Sequence, residues 1–182
     1  MQKLLCAIIL AGAVFISSSW IGTANQHRKQ KFVVNGTIMQ TVSYCGGAAP
    51  PQQILDSSNT PKPVPYGKLF VRSGKINAEG KPVIETIKAD ENGNFSVRLP
   101  AGNYCLVEEW KSRPFKLPAN NENQTVDSAC FRNLYNTCDY ELHITHKNIS
   151  GLRIIFHRGC PYNQPCISYR GPLPPKNAPR PK

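Results

Sequence analysis

The residues of this chain best able to do chemistry are its seven cysteines, and their spacing decides which chemistry that is. Cys6 falls inside an apolar leader, which leaves Cys45, Cys105, Cys130, Cys138, Cys160 and Cys166. A zinc site wants closely spaced pairs such as C-x2-C with histidine nearby. No C-x2-C occurs, and the nearest pair is Cys160-x5-Cys166. An even number of cysteines in an exported chain reads instead as disulfides, here three bridges with fifteen possible pairings. A Cys160–Cys166 bridge would present Tyr162 and Asn163 on a small rigid loop, a shape suited to binding or to protease inhibition. Pairing each with a distant cysteine, Cys45 being one candidate, would staple the Pro-rich ends to the domain. Long closures restrict the unfolded chain more, which favours stapling.

Other candidate groups fall away on geometry. His143-Ile-Thr-His146 has a metal-like look, but residues three apart on a strand point to opposite faces. Glu108 and Glu109 are adjacent and diverge for the same reason, a poor layout for paired acid–base work. No G-x-S-x-G, H-E-x-x-H or Walker A run is present. The sequence therefore assigns no catalytic residue, no metal ligand and no cofactor, and the expectation is a chain that is not an enzyme.

The leader sets the compartment. Lys3, the apolar run Leu4–Ile16, the serines Ser17–Ser19 and a small-residue end at Ala24 have the layout of a secretory signal peptide over residues 1–24. Its 13-residue apolar run is short for a membrane span, and no second run of about 18 follows, so no transmembrane span is expected. The mature protein is expected in the periplasm or outside the cell. Four N-x-S/T sites, at Asn35, Asn94, Asn123 and Asn148, would matter only in a eukaryotic secretory pathway.

Charge follows the same division. The chain carries 22 Lys+Arg against 11 Asp+Glu, a net +11, but residues 32–171 hold 15 basic and all 11 acidic residues, a net of +4. The excess sits on a basic arm (25–31) and a Pro-rich basic tail (172–182). That pattern suits loose association with anionic surfaces and gives no nucleic-acid-binding face.

Elements able to position these residues are mostly strands. Phe32–Tyr44 is rich in β-branched and aromatic residues and predicts a strand or a bulged pair. Gly46–Pro65, with its prolines, predicts an extended loop holding at most one helical turn around Gln52–Leu55. Strands are expected over Lys68–Arg72, Pro82–Lys88, Phe95–Leu99, Tyr104–Glu108, Tyr140–Thr145 and Leu152–His157. Asn92-Gly93 is a hairpin signal, and Phe95, Val97 and Leu99 alternate with Ser96 and Arg98. Lys111–Thr125 reads as a long loop. Asp127–Asn136 is the one plausible helix, with Asp127 as N-cap and Phe131, Leu134 and Tyr135 on one side. The fold class expected is all-β: one antiparallel sandwich over 32–171 with one short helix and long Pro-rich loops.

The block from Gly80 to Glu108 (GKPVIETIKADENGNFSVRLPAGNYCLVE) resembles the G-x-P…D-x-x-G-x-F…L-P-x-G-x-Y-x-L-x-E core of carboxypeptidase regulatory-like domains and related Cna-B and transthyretin-like sandwiches. The similarity covers about 30 residues well, extends loosely to Asn148–Phe156, and brackets a core of about 67–157. It implies a prealbumin-like Greek-key sandwich in a small exported bacterial protein, acting as a non-catalytic module. Some Cna-B domains lock themselves with a Lys–Asn isopeptide bond promoted by a glutamate. Glu108 matches that glutamate, but Leu152–His157 contains no asparagine and Asn148 precedes it, so disulfides would take the locking role.

The resulting expectation is a structural or binding role at the cell envelope, with an envelope polysaccharide or envelope protein as partner. For a carbohydrate ligand the available aromatics are Tyr66, Trp110, Tyr162 and Tyr169, all near loops. A secreted protease inhibitor is the remaining alternative.

Overall fold

A computed structural model describes residues 29–170. The proposed leader 1–24, most of the basic arm and the tail 172–182 lie outside the described residues. Two sheets form a β-sandwich. The first is built around the long strand β1 (Lys31–Val42). Along one flank, β5 (Asn94–Pro100) runs antiparallel to its first half, from Lys31↔Pro100 to Thr37↔Asn94. The short β2 (Lys62–Pro63) continues that flank opposite Met39 and Gln40. On the other flank lies β9 (Ile149–Arg158), parallel to β1. The second sheet is antiparallel throughout, in the order β4 (Glu85–Lys88), β3 (Lys68–Ser73), β6 (Gly102–Val107), β8 (Tyr140–Ile144).

Period-two alternation places the core between them. Phe32, Val34, Ile38, Phe95, Val97, Leu99, Ile154 and Phe156 from the first sheet meet Leu69, Val71, Ile87, Tyr104, Leu106, Leu142 and Ile144 from the second. Gly93 sits at φ +78° in the turn before β5, where a Cβ would lie 2.8 Å from the Ile38 carbonyl oxygen. Asp90 braces the same turn, its carboxylate accepting from the Asn92 and Asn94 N–H groups.

Several expectations need correction. The sandwich is not antiparallel throughout, since β1 and β9 are parallel. Alternation reads the same in either direction, and a crossover of more than a hundred residues separates the two strands, so no hairpin forces their orientation. Lys31 belongs to β1 rather than to a loose arm. There are three helices among the described residues, not one. α1 (Gln52–Asn59) runs two turns and buries nothing, so no apolar stripe announced it. Within the expected long loop, α2 (Glu109–Ser112) is a single turn whose one buried side chain is Lys111, and β7 (Gln124–Val126) pairs with β10 (Ile167–Tyr169). A three-residue strand leaves no pattern without its partner. α3 (Ser128–Asn136) matches the expected helix, and the Asp127 carboxylate accepts from the Cys130 N–H at 3.0 Å.

Tyr104, Cys105, Leu106 and Val107 are all buried. Consecutive burial means both faces of β6 are covered. The outer cover is a small cap formed by α2, α3 and the loop between β3 and β4.

Candidate functional site

The cap is held to the second sheet by polar groups buried where apolar ones would be expected. Asn77, fully buried, donates from its amide to the carbonyls of Lys111 (3.1 Å) and Tyr135 (2.8 Å), while its N–H donates to the Asn136 carbonyl. It thereby ties α2 to α3. The buried Arg72 guanidinium donates to the Ala78 and Ser112 carbonyls at 3.0 and 2.8 Å. An arginine below the surface is tolerated only with such acceptors, because an unpaired buried charge is costly.

A ladder of ionic contacts then links the three layers. Lys111, 1% exposed, donates to the Thr137 carbonyl (2.8 Å) and to the Asp139 carboxylate (2.6 Å). The second Asp139 oxygen accepts from the Glu108 N–H at 2.8 Å. Both Glu108 carboxylate oxygens accept from Arg158 at the end of β9, and Arg158 Nε reaches the Gln40 side chain. The hydrogen bond that Arg158 donates to Glu108 holds the Arg158 guanidinium protonated above its ordinary range, opposed by burial and helped by the Glu108 and Asp139 charges. Glu109 is taken by Arg113 at 2.6 Å. Glu108 thus serves as an inter-sheet brace here, with both its carboxylate oxygens engaged by Arg158.

Aromatic rings fill the rest of the cap. Phe115 meets Tyr135 edge-on at 5.1 Å, Trp110 lies 5.9 Å from Phe131, and the Arg132 guanidinium stacks 4.2 Å over Phe115. The Tyr135 hydroxyl donates to the Arg113 carbonyl.

The six cysteines pair as Cys45–Cys160, Cys105–Cys138 and Cys130–Cys166. Cys160 and Cys166 therefore join different partners, and no Cys160–Cys166 loop is presented. The first bridge staples the ends of β1 and β9, the second pins the cap to β6, and the third fastens the C-terminal segment to α3. Six cysteines joined in this way fit an oxidising compartment.

His143 shares a 2.7 Å hydrogen bond with Asn103 Oδ1, whereas His146 packs edge-on to Phe32. Among the described residues no group of three His, Cys, Asp or Glu is arranged to hold a metal ion. Of the four aromatics, Tyr66 is the most open, 68% exposed at φ 55° in the turn before β3. Trp110 is 41% exposed, with ring contacts to Phe131 and Tyr135. Tyr162 donates its hydroxyl to the Cys45 carbonyl, and Tyr169 lies in β10.

Sequence reasoning missed Arg72, Asn77, Lys111, Asp139 and Arg158. The available signal was the unbroken apolar run Tyr104–Val107, which requires a cover on its outer face. Nothing in the sequence says that the cover is joined through charges.

Comparison with solved structures shows similarity to the minor pilin GBS52 of Streptococcus agalactiae, with 10% identity and a TM-score of 0.34 over 82% of this chain and 49% of that one. A second similarity is to the shaft pilin SpaA of Lactobacillus rhamnosus GG, with 11% identity and a TM-score of 0.32 over 72% of this chain and 51% of that one. The chain spans about half the length of each. No protein-family model and no curated protein matches it.

Proposed function

We propose that this chain is an exported, non-catalytic β-sandwich module with a structural or binding role at the cell envelope. The observation that carries this reading is the set of three disulfides: one clasps the segments just beyond β1 and β9, one ties β6 to the segment after α3, and one ties α3 to the C-terminal segment, each between cysteines at least 33 residues apart. Bridges of that reach keep a small domain folded where no cellular machinery repairs it. The carboxylates best placed for chemistry, Glu108 and Asp139, are instead spent on bracing the three layers.

Fractionation of producing cells, followed by non-reducing peptide mapping, tests the reading. The expected result is a chain lacking residues 1–24, outside the cytosol, with the three bridges formed. Full-length chain with free thiols in the cytosol would overturn it.

A further inference from the structure

The two sheets differ in what covers their outer faces. The second sheet carries the cap, while among the described residues the outer side chains of β5 and β9 on the first are exposed and α1 lies against β1. On that open face β1 presents Lys31, Asn35 and Thr37, β5 presents Asn94, Ser96 and Arg98, and β9 presents Arg153, Ile155 and His157. Not one Asp or Glu occurs in β1, β2, β5 or β9. The eleven acidic residues lie elsewhere, on β4, on β8, on α1, in the cap and in turns, so the modest net charge of the domain is strongly segregated.

At one end of the face, Lys31, Arg98, Lys147 and His146 line an open hollow of about 610 Å³. The loop that carries Lys147 is fixed from below, because Asn148 Oδ1 accepts from the Val33 N–H at 2.9 Å. Lys31 and Arg98 are diagonal cross-strand neighbours, roughly 7–8 Å apart at Cα. None of Lys31, Arg98, Lys147 or Arg153 takes part in an ion pair among the described residues.

Arg153 stands opposite Thr37 and Arg98 opposite Val33, four residues apart along β1 and on its two flanks. That offset is roughly 13 Å along the strand and roughly 10 Å across it. Such a track is too long for a single small anion and suits an extended one. Between the cations lie amides and hydroxyls, with Asn35 facing Ser96 and the Thr37 hydroxyl donating to Asn94 Oδ1 at 3.0 Å, and Asp90 lines the same stretch with its carboxylate taken up by the Asn92 and Asn94 N–H groups. These are hydrogen-bonding partners for hydroxyl groups. The strands put no Phe, Tyr or Trp on this face, since Phe32, Phe95 and Phe156 all point into the core. Base stacking and interfacial anchoring both call for such rings, whereas the carboxylates of an acidic sugar chain are held by charge-assisted hydrogen bonds from Arg and Lys without them.

We infer that the open face of the first sheet binds an acidic polysaccharide, its chain crossing from Arg98 to Arg153 with one acidic group seated in the hollow beside Lys31 and Lys147. The inference rests on the reading of the protein as an envelope module, and it assigns binding to strand residues of the first sheet rather than to the rings of Tyr66, Trp110, Tyr162 and Tyr169.

Titration of the exported protein with polygalacturonate, with neutral dextran, phosphatidylglycerol vesicles and duplex DNA as comparators, tests it. Polygalacturonate is expected to bind best, with affinity falling as salt rises. R98S/R153S is expected to weaken that binding at least tenfold with an unchanged melting temperature. The tail variant K176S/R180S/K182S should stay within twofold of the parent. Loss confined to the tail variant, tighter binding to vesicles or DNA, or no binding to polygalacturonate would each overturn the site. A failure of that kind in a chain that is exported and fully bridged leaves the module reading standing, whereas a cytosolic, reduced chain removes both.

Discussion

Removing the Cys45–Cys160 bridge probes the step that makes this sandwich expensive to assemble. Cys45 lies three residues beyond the end of β1 and Cys160 two beyond the end of β9, and the Ser43 N–H donates to the Arg158 carbonyl just before them. The bridge is thus a clasp on a parallel ladder whose strands come from opposite ends of the domain. Its cysteines are 115 residues apart, and closing a loop of that length costs an unfolded chain about 4.8 kcal/mol in conformational entropy. The nested Cys105–Cys138 bridge, spanning 33 residues, shortens the effective loop but lowers that figure by only about 0.3 kcal/mol, because the dependence is logarithmic. C45A/C160A should therefore lose about 4 kcal/mol, equivalent to a fall in melting temperature of roughly 10–15 °C. Guanidinium unfolding without reductant measures this. With the leader gone, Trp110 is the sole tryptophan, so its fluorescence follows the cap while circular dichroism follows the strands. A loss below about 1 kcal/mol would refute the reasoning, since β1 and β9 would then pair without help from the covalent closure.

Three further outcomes are expected. Asp139→Asn leaves the buried Lys111 ammonium without its carboxylate and should cost about 3–5 kcal/mol in thermal unfolding, and adding Lys111→Met should recover part of the loss. Gly93→Ala forces a side chain into φ +78° and against the Ile38 carbonyl, and should cost about 2 kcal/mol by denaturant titration. Burial raises the Tyr104 phenol above its ordinary 10.0, so its contribution to stability is complete below that value and is lost as pH rises further, when only the unfolded chain ionises. Tyr104→Phe should flatten this alkaline decline in melting temperature while giving up the hydrogen bond to the Pro100 carbonyl, worth about 1 kcal/mol.

The sandwich itself was legible in the chain because its signals are local. Phe95, Val97 and Leu99 alternate with polar partners, Asn92-Gly93 turns the chain, and Asp127 caps α3 three residues before the N–H it satisfies. Each depends on neighbours a few positions away. The even count of cysteines beyond residue 24, likewise, announced disulfides before any pairing was known. What lay beyond the sequence were the relations between distant segments. Orientation of β9 against β1 leaves no mark on either strand, since period two is the same both ways. α1 and α2 bury too little apolar surface to show a helical stripe. The carboxylate partners of Lys111 and Arg158 lie 28 and 50 residues away, and charge alone does not say which carboxylate a cation will meet.

The sequence by itself determined the class of fold, the alternating faces of the Phe95–Leu99 strand and the chemistry of the cysteines, because those follow from residue type and short-range spacing. Only the tertiary structure decided that Cys45 meets Cys160, that one sheet is capped through buried charges, and that Lys31, Arg98 and Arg153 share a face whose strands carry no acid. Those outcomes depend on which segments the fold brings together, and that is settled by packing the whole chain at once.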